Sequence, residues 1–249
     1  MELPLAAPAG FRVIAHRGAS AYAPENTLSA FALAVRMGAR DIELDAQLSG
    51  DGRVVICHDE VLTRYGHGDL RVAELTLAEL QALDMGAWFS PFLYAGERML
   101  TLDALFAVFG ARLTYHLELK SHQEALAAAV WAEIRRHGLA GRVVCTSFHA
   151  EQLERMAAVA PELPRGWLVR EAGPDTLARA RTAGLRQLCP NARAVTPTLV
   201  AEARGACPEV RAWGLTGSRA EVLALARQVL AAGCDGMTLD YPDWVRAEA

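Results

Sequence analysis

Short runs of β-forming residues alternate with helix-forming stretches along almost all of this 249-residue chain. The spacing predicts strands at Arg12–His16, Asp41–Asp45, Leu113–Lys120, Arg142–Ser147, Arg165–Val169, Leu185–Cys189, Val210–Leu215 and Cys234–Leu239. Intervening stretches such as Thr27–Met37, Gln123–His137 and Ala220–Ala232 are rich in Ala, Leu, Glu and Arg at helical spacing. Gly38, Gly138, Gly184 and Gly233 stand where helices would stop. Eight strand–helix units in a chain of this length match a (β/α)8 TIM barrel. A doubly wound open sheet shares the alternation, and closure is not written in local pattern. With no linker composition or charge run to divide it, 1–249 reads as a single domain.

Two features break the alternation. Leu48-Ser49-Gly50-Asp51-Gly52-Arg53 reads as a hairpin turn. A turn at Asp51-Gly52 would set His58 opposite Asp45; one spread over Ser49–Gly52 would set it opposite Glu43. The second feature is the stretch from about 61 to 102, too long for an ordinary βα loop. It contains a capping-box sequence, Thr76-Leu77-Ala78-Glu79, followed by Trp88, Phe89, Phe92 and Tyr94. It is expected to form an inserted lobe over the barrel mouth, contributing to substrate access.

Composition narrows the partners. Apolar residues make up 52% of the chain and charged ones 22%, enough for a sizeable core. A net charge of −4 argues against a nucleic-acid backbone as partner. Five widely spaced cysteines form no C-x-x-C pair, so zinc-knuckle and redox motifs are unsupported. No basic region leads into an apolar core at the N-terminus, and no run reaches the roughly 18 apolar residues of a membrane span. The expectation is a cytoplasmic protein with no stable membrane anchor; homo-oligomerisation stays open.

Strand alternation sorts the polar residues. Asp41, Glu43 and Asp45 share one face of their strand, and His116, Glu118 and Lys120 one face of theirs. Glu43, Asp45 and Glu118 should therefore converge where the strands' C-terminal ends line a barrel site. Three neighbouring carboxylates need a compensating charge, and oxygen ligands favour a hard divalent cation, Mg2+ or Ca2+. His16 and His58 each end a strand beside a charged residue and suit an acid–base pair for phosphodiester cleavage. Arg17 and Lys120 supply positive charge for phosphate oxygens. The remaining histidines, His67, His122, His137 and His149, read as structural, and His116 as a buried residue lower in the barrel. Pro24-Glu25-Asn26-Thr27 is a helix entry capped by Asn26 or Thr27. Glu25 and Asn26 could also orient His16 or Arg17.

These motifs resemble, in order and over nearly the whole chain, the glycerophosphodiester phosphodiesterase family of the bacterial, cytoplasmic type. The matching segments are His16-Arg17-Gly18, Pro24-Glu25-Asn26-Thr27, Glu43-Leu44-Asp45, Asp51-Gly52, His58-Asp59, the long insertion, Glu118-Leu119-Lys120 and Asp235-Gly236. The resemblance implies a TIM barrel with an insertion after the second strand. It also implies metal-dependent hydrolysis of deacylated phospholipids to glycerol 3-phosphate and an alcohol. Carried onto this chain, it makes His16 and His58 the acid–base pair and Glu43, Asp45 and Glu118 the ligands of one divalent cation. Arg17, Lys120 and Trp213 become substrate contacts. The chain departs from the family pattern at Cys189-Pro190, Gly214-Leu215-Thr216 and Thr238-Leu239-Asp240, which bears on alcohol or glycerol preference. A lysophospholipase D and a silent barrel that binds phosphorylated ligands are the alternatives.

Overall fold

The computed structural model describes residues 3–248. In chain order β1 (Leu5–Ala7) precedes β2 (Arg12–His16), α1 (Leu28–Arg36), β3 (Asp41–Leu48) and β4 (Val54–Ile56). A long excursion holding α2 (Leu77–Ala82) ends in β5 (Leu100–Thr101) and α3 (Leu102–Phe109). Then come β6 (Thr114–Leu119), α4 (Leu126–Arg136), β7 (Val143–Ser147), α5 (Ala150–Val159), β8 (Arg165–Val169) and α6 (Pro174–Thr182). The remaining elements are β9 (Gln187–Pro190), α7 (Pro197–Arg204), β10 (Glu209–Ala212), α8 (Arg219–Ala231), β11 (Gly236–Leu239) and β12 (Val245–Ala247).

Strands β2, β3, β6, β7, β8, β9, β10 and β11 are hydrogen-bonded in that order, and β11 returns to β2. All eight pairings are parallel, so the sheet closes into a barrel and the open-sheet alternative is set aside. Strand β2 is the seam, with His16 paired to Glu43 on one side and Ala15 to Leu239 on the other. β1 and β12 form a separate parallel pair. Among the described residues no helix is long and apolar enough to cross a membrane.

Period-two alternation decides what each strand contributes. On β3, Ile42, Leu44, Ala46 and Leu48 pack outward with Phe31, Phe106 and Tyr115 in the layer beneath the helices. Asp41, Glu43, Asp45 and Gln47 therefore face the lumen. On β6, Leu117 and Leu119 join the same outer layer, leaving His116 and Glu118 inside. A second apolar layer lies under α7 and α8 and includes Val210, Ala212, Val222 and Val229.

The hairpin takes neither of the two registers expected. Ala46 pairs with Ile56 and Leu48 with Val54, while Ser49 N–H donates to the Arg53 carbonyl across a three-residue turn. Cys57, not His58, lies opposite Asp45 and donates its N–H to the Asp45 carbonyl. The intermediate turn length produces the intermediate register, and His58 enters the site from the segment beyond β4. The excursion that follows has its own core of Val55, Leu62, Tyr65, Val72, Leu80, Met85 and Met99. Its helix α2 starts with the expected Thr76–Glu79 capping box.

The junction of β2 and α1 rests on one glycine. Gly18 has φ +87°, and a Cβ there would lie 2.5 Å from the Ala30 backbone carbon. This contact seats the start of α1 on the end of β2, where Ala19 N–H donates to the Ala30 carbonyl. Thr27, not Asn26, caps the helix through its Oγ1. Gly38 also has positive φ, but a Cβ there would meet nothing within 4 Å. Gly38→Ala should thus cost only the left-handed backbone penalty, about 1–2 kcal/mol. Gly18→Ala should cost about 1–3 kcal/mol more, through overpacking. Denaturant midpoints of the two variants, measured side by side, check this; equal losses would mean the Ala30 contact yields freely.

Candidate active site

At the C-terminal end of the barrel strands Glu43, Asp45 and Glu118 come together, with one oxygen of each within 4.8 Å of the others. All three are buried, Asp45 completely. Two cations are threaded among them. Arg17 Nε lies 3.0 Å from Asp45 Oδ2, and Lys120 Nζ lies 3.1 Å from Glu118 Oε1 and 3.6 Å from Asp45 Oδ1. Asn26 donates from Nδ2 to Asp45 Oδ2 at 2.8 Å.

Arg17 and Asn26 are the two non-glycine residues with positive φ among the described residues, at 55° and 59°. Strain of this kind persists only where surrounding bonds hold it. Here Arg17 N–H donates to the Glu43 carbonyl and Asn26 N–H to the Arg17 carbonyl. Glu25 Oε2 holds Arg17 Nη1 at 2.8 Å, while Glu25 Oε1 takes Arg64 Nη2 and the Tyr65 hydroxyl. Of the two orienting residues expected, Glu25 thus acts on the Arg17 side chain, and Asn26 holds the Arg17 carbonyl with its backbone and Asp45 with its side chain.

The carboxylates do not titrate alike. Burial opposes charge on Asp45, yet Arg17, Lys120 and His58 outweigh it and hold the carboxyl below its ordinary range. Burial, then the neighbouring Asp45 charge, raises Glu43 and pushes Glu118 up to about 7. Two of the three acids are therefore easily protonated unless a further positive charge arrives. Asp45 Oδ1 is buried and accepts no hydrogen bond. Three converging oxygens, one of them buried without a hydrogen bond, fit a hard divalent cation.

Both histidines are fixed by aspartates. His16 Nδ1 lies 2.6 Å from Asp240 Oδ1, and His58 Nδ1 lies 2.5 Å from Asp59 Oδ1. The supports behind the acids differ. Asp240 takes a neutral hydroxyl, Ser20 Oγ at 3.1 Å, whereas Asp59 takes the Arg64 guanidinium at 2.8 Å. Burial is the largest influence on both rings. It lowers His58, together with Arg17 and Lys120, despite the opposing pull of Asp45 and Asp59. For His16 the Asp240 hydrogen bond, Glu43 and the Asp240 charge override burial and Arg17, so its pKa is raised.

These groups line one side of a cavity of about 270 Å³. Phe148, Leu168, Asn191, Arg193, Arg211, Trp213 and Thr216 line the rest. Trp213 packs edge-on against Phe148 at 4.8 Å and donates Nε1–H to the Val169 carbonyl. Arg211, almost wholly buried, donates to Thr238 Oγ1 and has Nε and Nη2 unpartnered. Two of the places where the chain departs from the family pattern, Cys189 and Thr238, thus meet at this guanidinium.

All eight residues singled out from the sequence line this cavity except Asp45, which sits behind Arg17 and Lys120. Sequence reading missed the aspartates behind the histidines and the role of Arg64. Asp59 adjoins His58 and was open to notice; Asp240 is 224 residues from His16, with no local signal. Among the described residues none from 61 to 102 lines the cavity. Trp88, Phe89 and Tyr94 pack edge-on with one another, and Trp88 with Tyr65. Of the four aromatics Phe92 alone is exposed, beside the exposed Leu93. The lobe reaches the site through Arg64 and Tyr65.

The sequence pattern of the glycerophosphoryl diester phosphodiesterase family matches residues 16–244. The chain is 33% identical over 239 residues to the glycerophosphodiester phosphodiesterase of Caldanaerobacter subterraneus subsp. tengcongensis, covering 93% of this chain and 94% of that one. It resembles an Oleispira antarctica phosphodiesterase solved in complex with the product sn-glycerol-3-phosphate. The TM-score there is 0.82 and the identity 31%, over 97% of this chain and 94% of that chain. For the glycerophosphodiester phosphodiesterase of Agrobacterium tumefaciens C58 the TM-score is 0.80 and the identity 28%, over 94% and 98% of the two chains. Matched along nearly its whole length in sequence and in fold, the chain belongs to the glycerophosphoryl diester phosphodiesterase family and is a glycerophosphodiester phosphodiesterase.

Proposed function

We propose that the enzyme hydrolyses small, deacylated glycerophosphodiesters to glycerol 3-phosphate and an alcohol, with His58 as general base and His16 as general acid. One observation carries the reading. Two imidazoles, each fixed at Nδ1 by an aspartate, border a single cavity with Glu43, Glu118, Arg17 and Lys120, and the buried Asp45 lies behind the two cations. The whole of 1–249 acts as one catalytic unit, with 61–102 as its supporting lobe. Five buried, unpaired cysteines favour a reducing compartment, the cytoplasm.

Glu43, Asp45 and Glu118 would hold one divalent cation, Mg2+ or Ca2+, which when bound polarises the phosphoryl group. Arg17 and Lys120 neutralise charge growing on the phosphate oxygens. His58 takes the proton from the attacking water as its oxygen bonds to phosphorus, and His16 gives one to the departing alkoxide as its bond to phosphorus breaks. The assignment follows from the acids' partners. Asp240, backed only by a hydroxyl, favours the imidazolium of His16; Asp59 shares its charge with Arg64 and holds the His58 proton less strongly. Phe148 and Trp213 supply an apolar wall for the carbon chain of the glycerol part.

His16→Ala and His58→Ala should each cut turnover on glycerophosphocholine or glycerophosphoethanolamine by about 10²–10⁴-fold with folding kept. Wild-type turnover in either would remove that residue from the chemistry. A chelator should abolish activity, Mg2+ or Ca2+ should restore it, and Glu43→Gln should resist restoration. The pH–rate curve should be a broad bell. Its acid limb follows the lowered pKa of His58, and its basic limb the raised pKa of His16. Arg64→Met frees Asp59 to hold the His58 proton more firmly, so the acid limb should move to higher pH. Asp240→Asn weakens the imidazolium of His16, so the basic limb should move to lower pH. A shift of the basic limb in Arg64→Met, and of the acid limb in Asp240→Asn, would exchange the two roles.

A further inference from the structure

Besides the buried carboxylates, two other groups of metal-capable side chains converge among the described residues. Asp103, Glu133 and His137 already enclose a cation, because Arg136 ion-pairs with both acids. The other group, His122, His149 and Glu151, has no such occupant. The one ion pair of Glu151 among the described residues is with His122. Of the neighbouring cations, Lys120 is engaged by Asp45 and Glu118, and Arg155 by Glu124 and the His122 carbonyl.

We propose that His122, His149 and Glu151 form a second metal site, for a borderline divalent ion of the zinc class, at the rim of the barrel mouth. One ligand atom from each lies within 4.8 Å of the others. His122 Nδ1 and Glu151 Oε1 are 2.8 Å apart, and the two imidazole rings lie 3.8 Å apart, centroid to centroid. Donors on a tetrahedral zinc sit about 2.0–2.2 Å from the ion, hence roughly 3.3–3.6 Å from one another. The His122–Glu151 pair, 2.8 Å apart, needs to open by about 0.5–0.8 Å to admit it.

The donor set chooses the ion. Two imidazole nitrogens and one carboxylate suit zinc, cobalt or nickel, whereas Mg2+ and Ca2+ prefer the all-oxygen set below. The His149 ring offers a nitrogen to the same small volume as His122 Nδ1 and Glu151 Oε1. The His149 backbone N–H donates to Ser147 Oγ at 3.1 Å, which fixes the turn that carries the ring. The side chains of His122 and Glu151 are 63% and 46% exposed, so an ion reaches them directly from solvent and a water can complete its shell.

The site joins two loops. His122 follows β6 two residues after Lys120, and His149 follows β7 directly after Phe148; both Lys120 and Phe148 line the catalytic cavity. An ion bound here ties together the segments that present a phosphate contact and the apolar wall. The sequence reading of His122 and His149 as structural residues is replaced by this one.

The test is Co2+ titration of metal-stripped enzyme, with Mg2+ in large excess to fill the carboxylate site. The expected result is one Co2+ with visible ligand-field bands, displaced by Zn2+ and retained in Glu43→Gln. His122→Ala and His149→Ala should each weaken it at least tenfold, and Glu151→Gln should weaken it as well. The ligands lie at the surface, and unchanged thermal midpoints will verify folding. Either of two results overturns the proposal: no bands beyond those lost in Glu43→Gln, or affinity within twofold of wild type in the His122→Ala/His149→Ala double variant.

Discussion

The open end of the barrel is arranged around a completely buried negative charge, that of Asp45. A carboxylate taken out of water is costly unless it is paired and hydrogen-bonded. Arg17, Lys120 and Asn26 meet that requirement from three different segments. Each of them is then fixed in turn. Arg17 is held in a left-handed conformation by backbone bonds and by Glu25; Asn26 is likewise left-handed; Lys120 also spans to Glu118. Removing Asp45 would leave two cations and an amide without their common partner. The charge therefore organises the site as well as serving it.

Support for this arrangement comes from outside the barrel. The lobe of residues 61 to 102 has its own apolar core and sends Arg64 and Tyr65 to Glu25 and Asp59. One guanidinium thus braces the acid behind Arg17 and the acid behind His58. This makes the lobe a positioning device for the chemistry. Three of its four aromatic residues are spent on its own packing.

The two metal-capable groups at the mouth differ in a physically sensible way. The buried trio offers only oxygen, is crowded by like charge and is hemmed by cations, conditions that favour a hard ion. The rim group offers nitrogen and one oxygen at the solvent boundary, which favours a borderline ion. They share the β6 segment, since Glu118 and His122 are four residues apart.

Much of this was legible in the chain. Alternation on Asp41–Asp45 and Tyr115–Lys120 marked which side chains face the lumen, because a strand's period of two is local geometry. Glycine placement marked the helix ends, and the His16, Glu43, Asp45, His58 and Glu118 set could be assembled from strand-end positions. What the sequence could not contain were facts that depend on distant segments meeting. Barrel closure rests on β2 joining β11, and the partner of His16 lies on the segment after that last strand. The hairpin register turned on a single residue of turn length, and the rim cluster exists only because two loops converge. Local preference determined the elements and their faces; the tertiary fold alone decided which charges stand side by side, since Coulomb and ligand-field interactions act over ångströms in space and are indifferent to separation along the chain.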